Sequence, residues 1–396
     1  MVHVRRFFSG LLLCLLIGSH QQAHAAAKPM PDYMSTIRID DVLRQFHITA
    51  DRKTLIAITA DAPGNQIAFL FRNKNNQFKL YVNTKLLITG TQKTPHIPAV
   101  FRFTEDGHLL SAVNPTQLFY DATQLSSMDN AFEYDRGTTT VYENAGRLYF
   151  PETHRIRMFD TRTGTSVTLH EHPDGTVEYL RGHGQDLFYT LTEKGNAYLY
   201  VNGTKLVETP VENPSNFLVL SNGDVAFFAH SGDNYILYKN TIPYFTAKGY
   251  GGFLFEDPKG NLWHAAFDSV TPTDVASYNV HLYKNKEEMK TPPLSNLEGF
   301  IDFHNDSYAT RAAKKGETAM YLLKDGKLVG QPFSFSHPID FQGVQLDTNN
   351  IAYMRNYAGN RWQLLANGEP LFQTTFRNIW FFQKVGTKLR VFGSTF

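Results

Sequence analysis

Four stretches decide how this chain reads: Leu80-Tyr81-Val82-Asn83, Leu199-Tyr200-Val201-Asn202, Leu237-Tyr238-Lys239-Asn240 and Leu282-Tyr283-Lys284-Asn285. Each is an apolar run closed by asparagine. Degenerate copies follow at Leu322-Leu323-Lys324-Asp325 and Leu364-Leu365-Ala366-Asn367. Two weaker ones, Leu118-Phe119-Tyr120-Asp121 and Met158-Phe159-Asp160-Thr161, fill the wide gap between 80 and 199. The eight anchors start at 80, 118, 158, 199, 237, 282, 322 and 364, so successive spacings are 38, 40, 41, 38, 45, 40 and 42 residues.

The surroundings of each anchor repeat as well. Asn202-Gly203, Asp325-Gly326 and Asn367-Gly368 are pairs that accept the positive φ of a tight hairpin turn. A short strand leaves each turn, as in Lys205-Leu206-Val207 or Glu369-Pro370-Leu371-Phe372. Upstream lies a second turn with an alternating strand after it, such as Gly223-Asp224-Val225-Ala226-Phe227-Phe228 or Asn350-Ile351-Ala352-Tyr353-Met354. A further strand precedes that turn, as at 216–220 and 299–303, giving four strands per unit. A four-stranded meander cannot bury both faces alone. Copies set radially around an axis can, and a period of about 40–45 residues marks a β-propeller rather than a sandwich or a solenoid. The expected fold is all-β: a propeller of eight four-stranded antiparallel blades, or seven if one anchor is misassigned. Residues 378–382 and 388–392 read as strands with no anchor after them, and 37–48 precedes the first full unit. The ring is therefore expected to close by pairing of the N- and C-terminal strands. The 45-residue interval holds an apparent loop insertion at 269–277.

With this repeat pattern the chain resembles bacterial exported β-propellers in general. Asp257-Pro258-Lys259-Gly260-Asn261-Leu262-Trp263 is similar to the Asp-x-x-Gly-Asn-Leu-Trp turn of sensor-type propeller repeats. Met158-Phe159-Asp160-Thr161-Arg162-Thr163-Gly164 is similar to the Asp-x-x-Thr-Gly turn of quinoprotein-like repeats. From the latter family the chain departs in having only three tryptophans, Trp263, Trp362 and Trp380, and no cysteine pair. The resemblance implies architecture and assigns no function, because one fold of this kind carries many functions.

The N-terminus has the three parts of a secretory signal: Arg5 and Arg6, an apolar run over 7–17, and Ala23-His24-Ala25 as the small-x-small cleavage pattern. The run is too short to span a bilayer, which takes about 20 residues. Residues 1–25 are thus expected to be a signal peptide, 26–36 a flexible N-terminal segment, and 37–396 one propeller domain in the periplasm or outside the cell. No later segment is apolar enough to be a transmembrane span. Cys14, the only cysteine, lies in the signal, so the mature chain is expected to hold no disulfide, thiol nucleophile or thiolate metal site. Without Arg5 and Arg6 the formal charge moves from +1 to −1, and no basic stripe is visible, so nucleic acid is not an expected partner. The aromatic content of 14%, carried by 31 Phe and 20 Tyr, favours strands over helices.

Candidate chemistry is sparse. His170-Glu171-His172, with His183 beyond it, is the one set with ligand spacing, because alternate strand residues share a face. His172 precedes the turn sequence Pro173-Asp174-Gly175, which predicts a solvated strand end, so no metal is expected. Trp263 is expected to pack between blades while His264 points to solvent. The acidic pairs Asp40-Asp41, Glu105-Asp106 and Glu287-Glu288 are not glycosidase dyads, since neighbouring strand residues face opposite ways. No nucleophile elbow, zincin helix, phosphate loop or dinucleotide fingerprint occurs, and no cofactor is expected. The sequence names no catalytic or binding residue. The expectation is an exported, non-enzymatic scaffold binding protein or glycan on a propeller face. The alternative is a hydrolase or lyase acting on a glycan or small polar substrate at the channel mouth.

Overall fold

In the computed structural model, residues 34–394 are described apart from 49–53, 62–64, 93–99, 115–116, 128–140, 212–215, 269–277, 299–300, 334–343, 359–360, 372–375 and 386–387. The signal segment, Cys14 and the 269–277 insertion lie outside the described residues. What is described is a succession of four-stranded antiparallel meanders over 55–91, 101–127, 142–171, 176–205, 217–248, 250–288, 302–333 and 344–370, here units one to eight. All eight sequence anchors start on the third strand of a unit. Units six and seven share a nine-stranded sheet, because the strand Leu294–Leu297 pairs with the third strand of one and the second of the other.

The repeat has a physical cause in the residue that closes each anchor. Asn83, Asp121, Asn202, Asn240, Asn285, Asp325 and Asn367 all sit at φ between 48° and 55°. Each donates its backbone N–H to the carbonyl of a residue early in the second strand, at 2.6–3.1 Å. Its side-chain Oδ1 accepts from that same residue's N–H at 2.9–3.0 Å, the partners being Ile67, Leu109, Leu187, Val225, Leu262, Tyr308 and Ala352. Only Asn and Asp combine tolerance of left-handed backbone with a short side-chain acceptor. Unit three uses a longer turn instead, closed by Gly164 N–H to Asp160 O at 2.9 Å.

The fourth strands share a second device. In units one, two and five the ladder bulges after two pairs, leaving Leu87, Leu125 and Tyr244 as the extra residue. In units four, six and eight the strand ends there, and Leu206, Met289 and Leu371 donate N–H groups to Leu199, Leu282 and Leu364 at 2.8–3.0 Å. These six apolar side chains turn into the clusters between units. A bulge re-aims a side chain and spoils the outer edge for further pairing.

The core is thus distributed along the seams. Phe69, Leu70, Phe150, Tyr189, Phe227, Phe228 and Tyr235 are fully buried second- or third-strand residues, each packing toward the neighbouring sheet. The ends come together. Met34–Arg38 runs parallel to Lys388–Ser394, from Met34 opposite Leu389 to Arg38 opposite Gly393, and Asn378–Val385 completes a three-stranded sheet. The pairing of termini was expected; that it makes a sheet of its own beside eight complete units was not. One cluster joins this terminal sheet to unit eight through Trp362, Phe376 and Phe382, and another joins it to unit one through Phe392, Phe69 and Phe71. The short helix Ile39–Gln45, the one helix among the described residues, buries Ile39, Val42 and Leu43 in the second of these.

Candidate functional site

The residues singled out from the sequence are spread over the molecule. His170 is the penultimate residue of the fourth strand of unit three and lies half-buried with its ring against Gly203 of unit four. His172 is not solvated as expected: its Nε2 shares a 2.7 Å hydrogen bond with the Tyr189 hydroxyl and its ring meets Tyr200 edge-on at 5.4 Å. The turn after Glu171 folds the ring back onto the seam, where two tyrosines of the next unit accommodate it. His183 ends the first strand of unit four and packs against Gly223 of unit five, apart from the other two. Burial lowers the pKa of both His170 and His172, with mutual repulsion adding to the second. Among the described residues no three His, Cys, Asp or Glu side chains gather in a form that would hold a metal ion.

Around this pair is a committed polar network. Glu193 accepts from the Tyr200 hydroxyl at 2.8 Å and pairs with Lys205 at 3.1 Å, and Lys205 caps the Tyr198 ring at 3.9 Å. The hydrogen bond from Tyr200 is the main cause of a lowered Glu193 pKa, while burial raises both Tyr189 and Tyr200. A carboxylate and phenols shifted in these directions are ionised and un-ionised, respectively, at neutral pH.

Trp263 packs across a seam as expected, on Phe303 and Tyr308 of unit seven, with Nε1 donating to Asp257 at 3.0 Å. Burial works against the Asp257 carboxylate, but hydrogen bonds from Trp263, Asn261 and Lys259 outweigh it and hold the pKa at about 2. The expectation for His264 is overturned: its exposure is 0%. It lies on a second strand, sandwiched between seams on both faces, stacked on Tyr283 at 4.8 Å and edge-on to Phe245 at 5.0 Å. Its Nε2 reaches Asn285 O at 3.0 Å, its Nδ1 has no hydrogen-bond partner among the described residues, and burial depresses its pKa to about 4. The acidic pairs form no dyad. Asp40 and Asp41 occupy the first turn of the helix rather than a strand, Asp106 takes the Tyr120 hydroxyl at 2.9 Å, and Glu288 pairs with His281 at 2.7 Å.

Among the described residues a groove opens on unit one, and it was not legible beforehand. A groove of about 550 Å³ is lined by Thr54, Phe71, Asn73, Gln77, Phe78, Lys79, Thr89, Gly90 and Thr91. It exists because Gly90 faces Phe78 across the strands, and the ring lies where a Cβ would stand. One rim is fixed by Asn73, whose Oδ1 accepts from Asn75 N and Gln77 N at 2.9 and 3.0 Å and whose Nδ2 donates to Gln77 Oε1 at 2.9 Å. The lining carries two amides, three threonines, one lysine and no carboxylate. That set can exchange hydrogen bonds with hydroxyl groups and neutralise one negative charge, but it has no acid–base pair.

No family model matches the chain, and no curated protein matches it in sequence. Solved structures with similar coordinates include a eukaryotic initiation factor, at 10% identity and TM-score 0.50, covering 87% of this chain and 92% of that one. The WD40 β-propeller domain of Doa1 shares 11% identity at TM-score 0.35, over 67% of this chain and 92% of that one. BamB from Moraxella catarrhalis shares 11% at 0.37, over 66% and 81%. Likeness at such identities concerns the fold alone. The succession of four-stranded meanders packed seam to seam by itself makes this a repeat-built all-β chain of β-propeller type. No helix among the described residues is long and apolar enough to cross a membrane.

Proposed function

We propose that this chain is an exported, non-enzymatic binding protein that takes a glycan in the groove of unit one. We also propose that its eight four-stranded units are closed into a ring by the composite terminal sheet. The groove carries the functional reading. Its volume of about 550 Å³ suits a small oligosaccharide, and its lining is rich in amide and hydroxyl groups without paired acids. Closure is supported by the two clusters that flank the terminal sheet. Export rests on the signal-like N-terminus. N-terminal sequencing of the protein from an envelope fraction should read from residue 26, and a leader still attached would count against export.

The binding experiment is titration calorimetry with soluble neutral and uronic-acid oligosaccharides, on the protein and on its Gln77→Ala and Lys79→Ala variants. Both side chains are exposed, so each variant should fold. Heat from one glycan class, reduced at least tenfold in both variants, is the expected result. Turnover of the sugar would instead favour the hydrolase or lyase. Silence toward every sugar, with capture of an envelope protein, would move the assignment to a protein partner.

A further inference from the structure

The groove of unit one presents hydrogen-bond donors in excess of acceptors, and Asn73 sets that balance. Its Oδ1 accepts from the backbone N–H groups of Asn75 and Gln77 at 2.9 and 3.0 Å, so the amide cannot be turned over. Its Nδ2 is thereby fixed as the donor toward Gln77 at 2.9 Å, and the Gln77 atom that receives it must be Oε1. Both amide oxygens of the lining already have partners within the protein. The two hydrogens of Gln77 Nε2 are left to face the groove. Two residues along the same strand, and hence on the same face, Lys79 adds an ammonium group. Gln77 and Lys79 are both exposed. Thr91 stands opposite Gln77 and Thr89 opposite Lys79, so the four side chains form one patch. The lining holds no carboxylate, and Lys79 enters no ion pair among the described residues. By contrast Lys205, Lys239 and Lys284 of units four, five and six pair with Glu193, Asp224 and Asp257 at 3.1, 3.1 and 3.6 Å.

We propose that this groove selects acidic over neutral saccharides, seating the carboxylate of a uronic acid on Lys79 Nζ and Gln77 Nε2, an assignment that rests on the glycan reading of the same groove. A neutral sugar offers hydroxyl groups, each donor and acceptor at once, and a site short of acceptors leaves hydroxyl hydrogens unmatched. A carboxylate only accepts, with two oxygens for two neighbouring donors. Its bond to an ammonium is charge-assisted and stronger than one between neutral groups. Thr89 and Thr91, exposed across the ladder, can accept from the hydroxyls of the same sugar. The chain as a whole is close to neutral, with a formal charge of +1. The attraction for an acid therefore comes from this patch rather than from a field over the whole surface.

Titration calorimetry with oligogalacturonate, oligoglucuronate and oligomannuronate, each beside its methyl ester, tests the selection, because the ester keeps the sugar and removes the charge. The protein is compared with Lys79→Arg, Lys79→Gln and Gln77→Glu. In the native protein one acid should bind about tenfold tighter than its ester, the effect of one charge-assisted hydrogen bond. That margin should shrink as salt is raised. Lys79→Arg should keep it and Lys79→Gln should remove it. Gln77→Glu retains an acceptor for Asn73 but sets a like charge where the donor stood, so it should abolish binding of the acid and spare the ester. Both positions are exposed, so thermal midpoints should match the native one. Equal affinities for an acid and its ester, or heat from a neutral glycan alone, overturn the selection and leave the glycan reading standing. A preference for acid that survives both Lys79→Gln and Gln77→Glu also overturns it, since the charge is then read elsewhere. Silence toward acids, esters and neutral glycans alike overturns the glycan reading and the selection with it.

Discussion

Asn83 and its six counterparts reconcile two demands, a left-handed turn residue and an acceptor for the first buried N–H of the second strand. Their substitutions should rank accordingly. Asn83→Asp should leave stability nearly unchanged, since Asp121 and Asp325 already play this part. Asn83→Gly should cost about 1 kcal/mol for the lost acceptor, and Asn83→Ala about 2 kcal/mol because the backbone conformation is penalised as well. Urea unfolding of the three variants measures the order, and equal losses for Gly and Ala would remove the conformational part of the account. His264 makes a pH-dependent contribution. Its folded pKa of about 4 lies below the ordinary histidine value of 6.5, so the unfolded chain takes the proton first. Stability is whole above pH 6.5 and falls as pH drops toward 4, by on the order of 2–3 kcal/mol. Asp257, held at about 2, contributes in a lower window, between about pH 4 and 2. Thermal midpoints between pH 7 and 4.5 should therefore slope downward on acidification, and His264→Phe should flatten that slope. The Asn and Asp anchors were readable because a turn states its needs in residue type. The burial of His264 was not, because alternation within one strand cannot tell a face that meets solvent from a face that meets the next sheet.

Each unit is only marginally a structure by itself; the seam makes it one. The contact between units three and four illustrates how closely sheets approach. A Cβ added to Gly182 would fall inside the ring of Tyr142, whose hydroxyl donates to Gly184 O at 3.2 Å. Gly182→Ala should therefore destabilise by about 1–3 kcal/mol through overpacking. Adding Tyr142→Ala should recover part of that loss, so the two changes would be non-additive in a double-mutant cycle. Additive effects would place the strain elsewhere. At this scale the strand order and the third-strand anchors followed from sequence period alone. The fourth-strand bulges did not, and the groove of unit one depends on one. Without the extra residue Leu87, Gly90 would not stand opposite Phe78.

The two ends of the chain meet more than 350 residues apart in sequence, with Thr36 beside Val391 and Ile37 beside Phe392. Removing residues 1–38 deletes the outer strand of the terminal sheet and unpins the helix Ile39–Gln45 from Phe392. The shortened protein should unfold at a lower midpoint, and its C-terminal strands should lose protection from amide exchange before the middle units do. Uniform protection along the chain would argue that the terminal sheet does not hold units one and eight together. The sequence by itself determined the all-β class and a succession of four-stranded repeats, because hairpin turns and strand alternation are local and are written as Asn, Asp, Gly and apolar periodicity. Only the tertiary structure decided that the ends form a sheet of their own, that His264 is buried while Val167 and Leu169 are exposed, and that a polar groove opens beside Gly90. Those outcomes depend on which sheet face meets which neighbour and on single-residue shifts of register, and neither is encoded in any one segment of the chain.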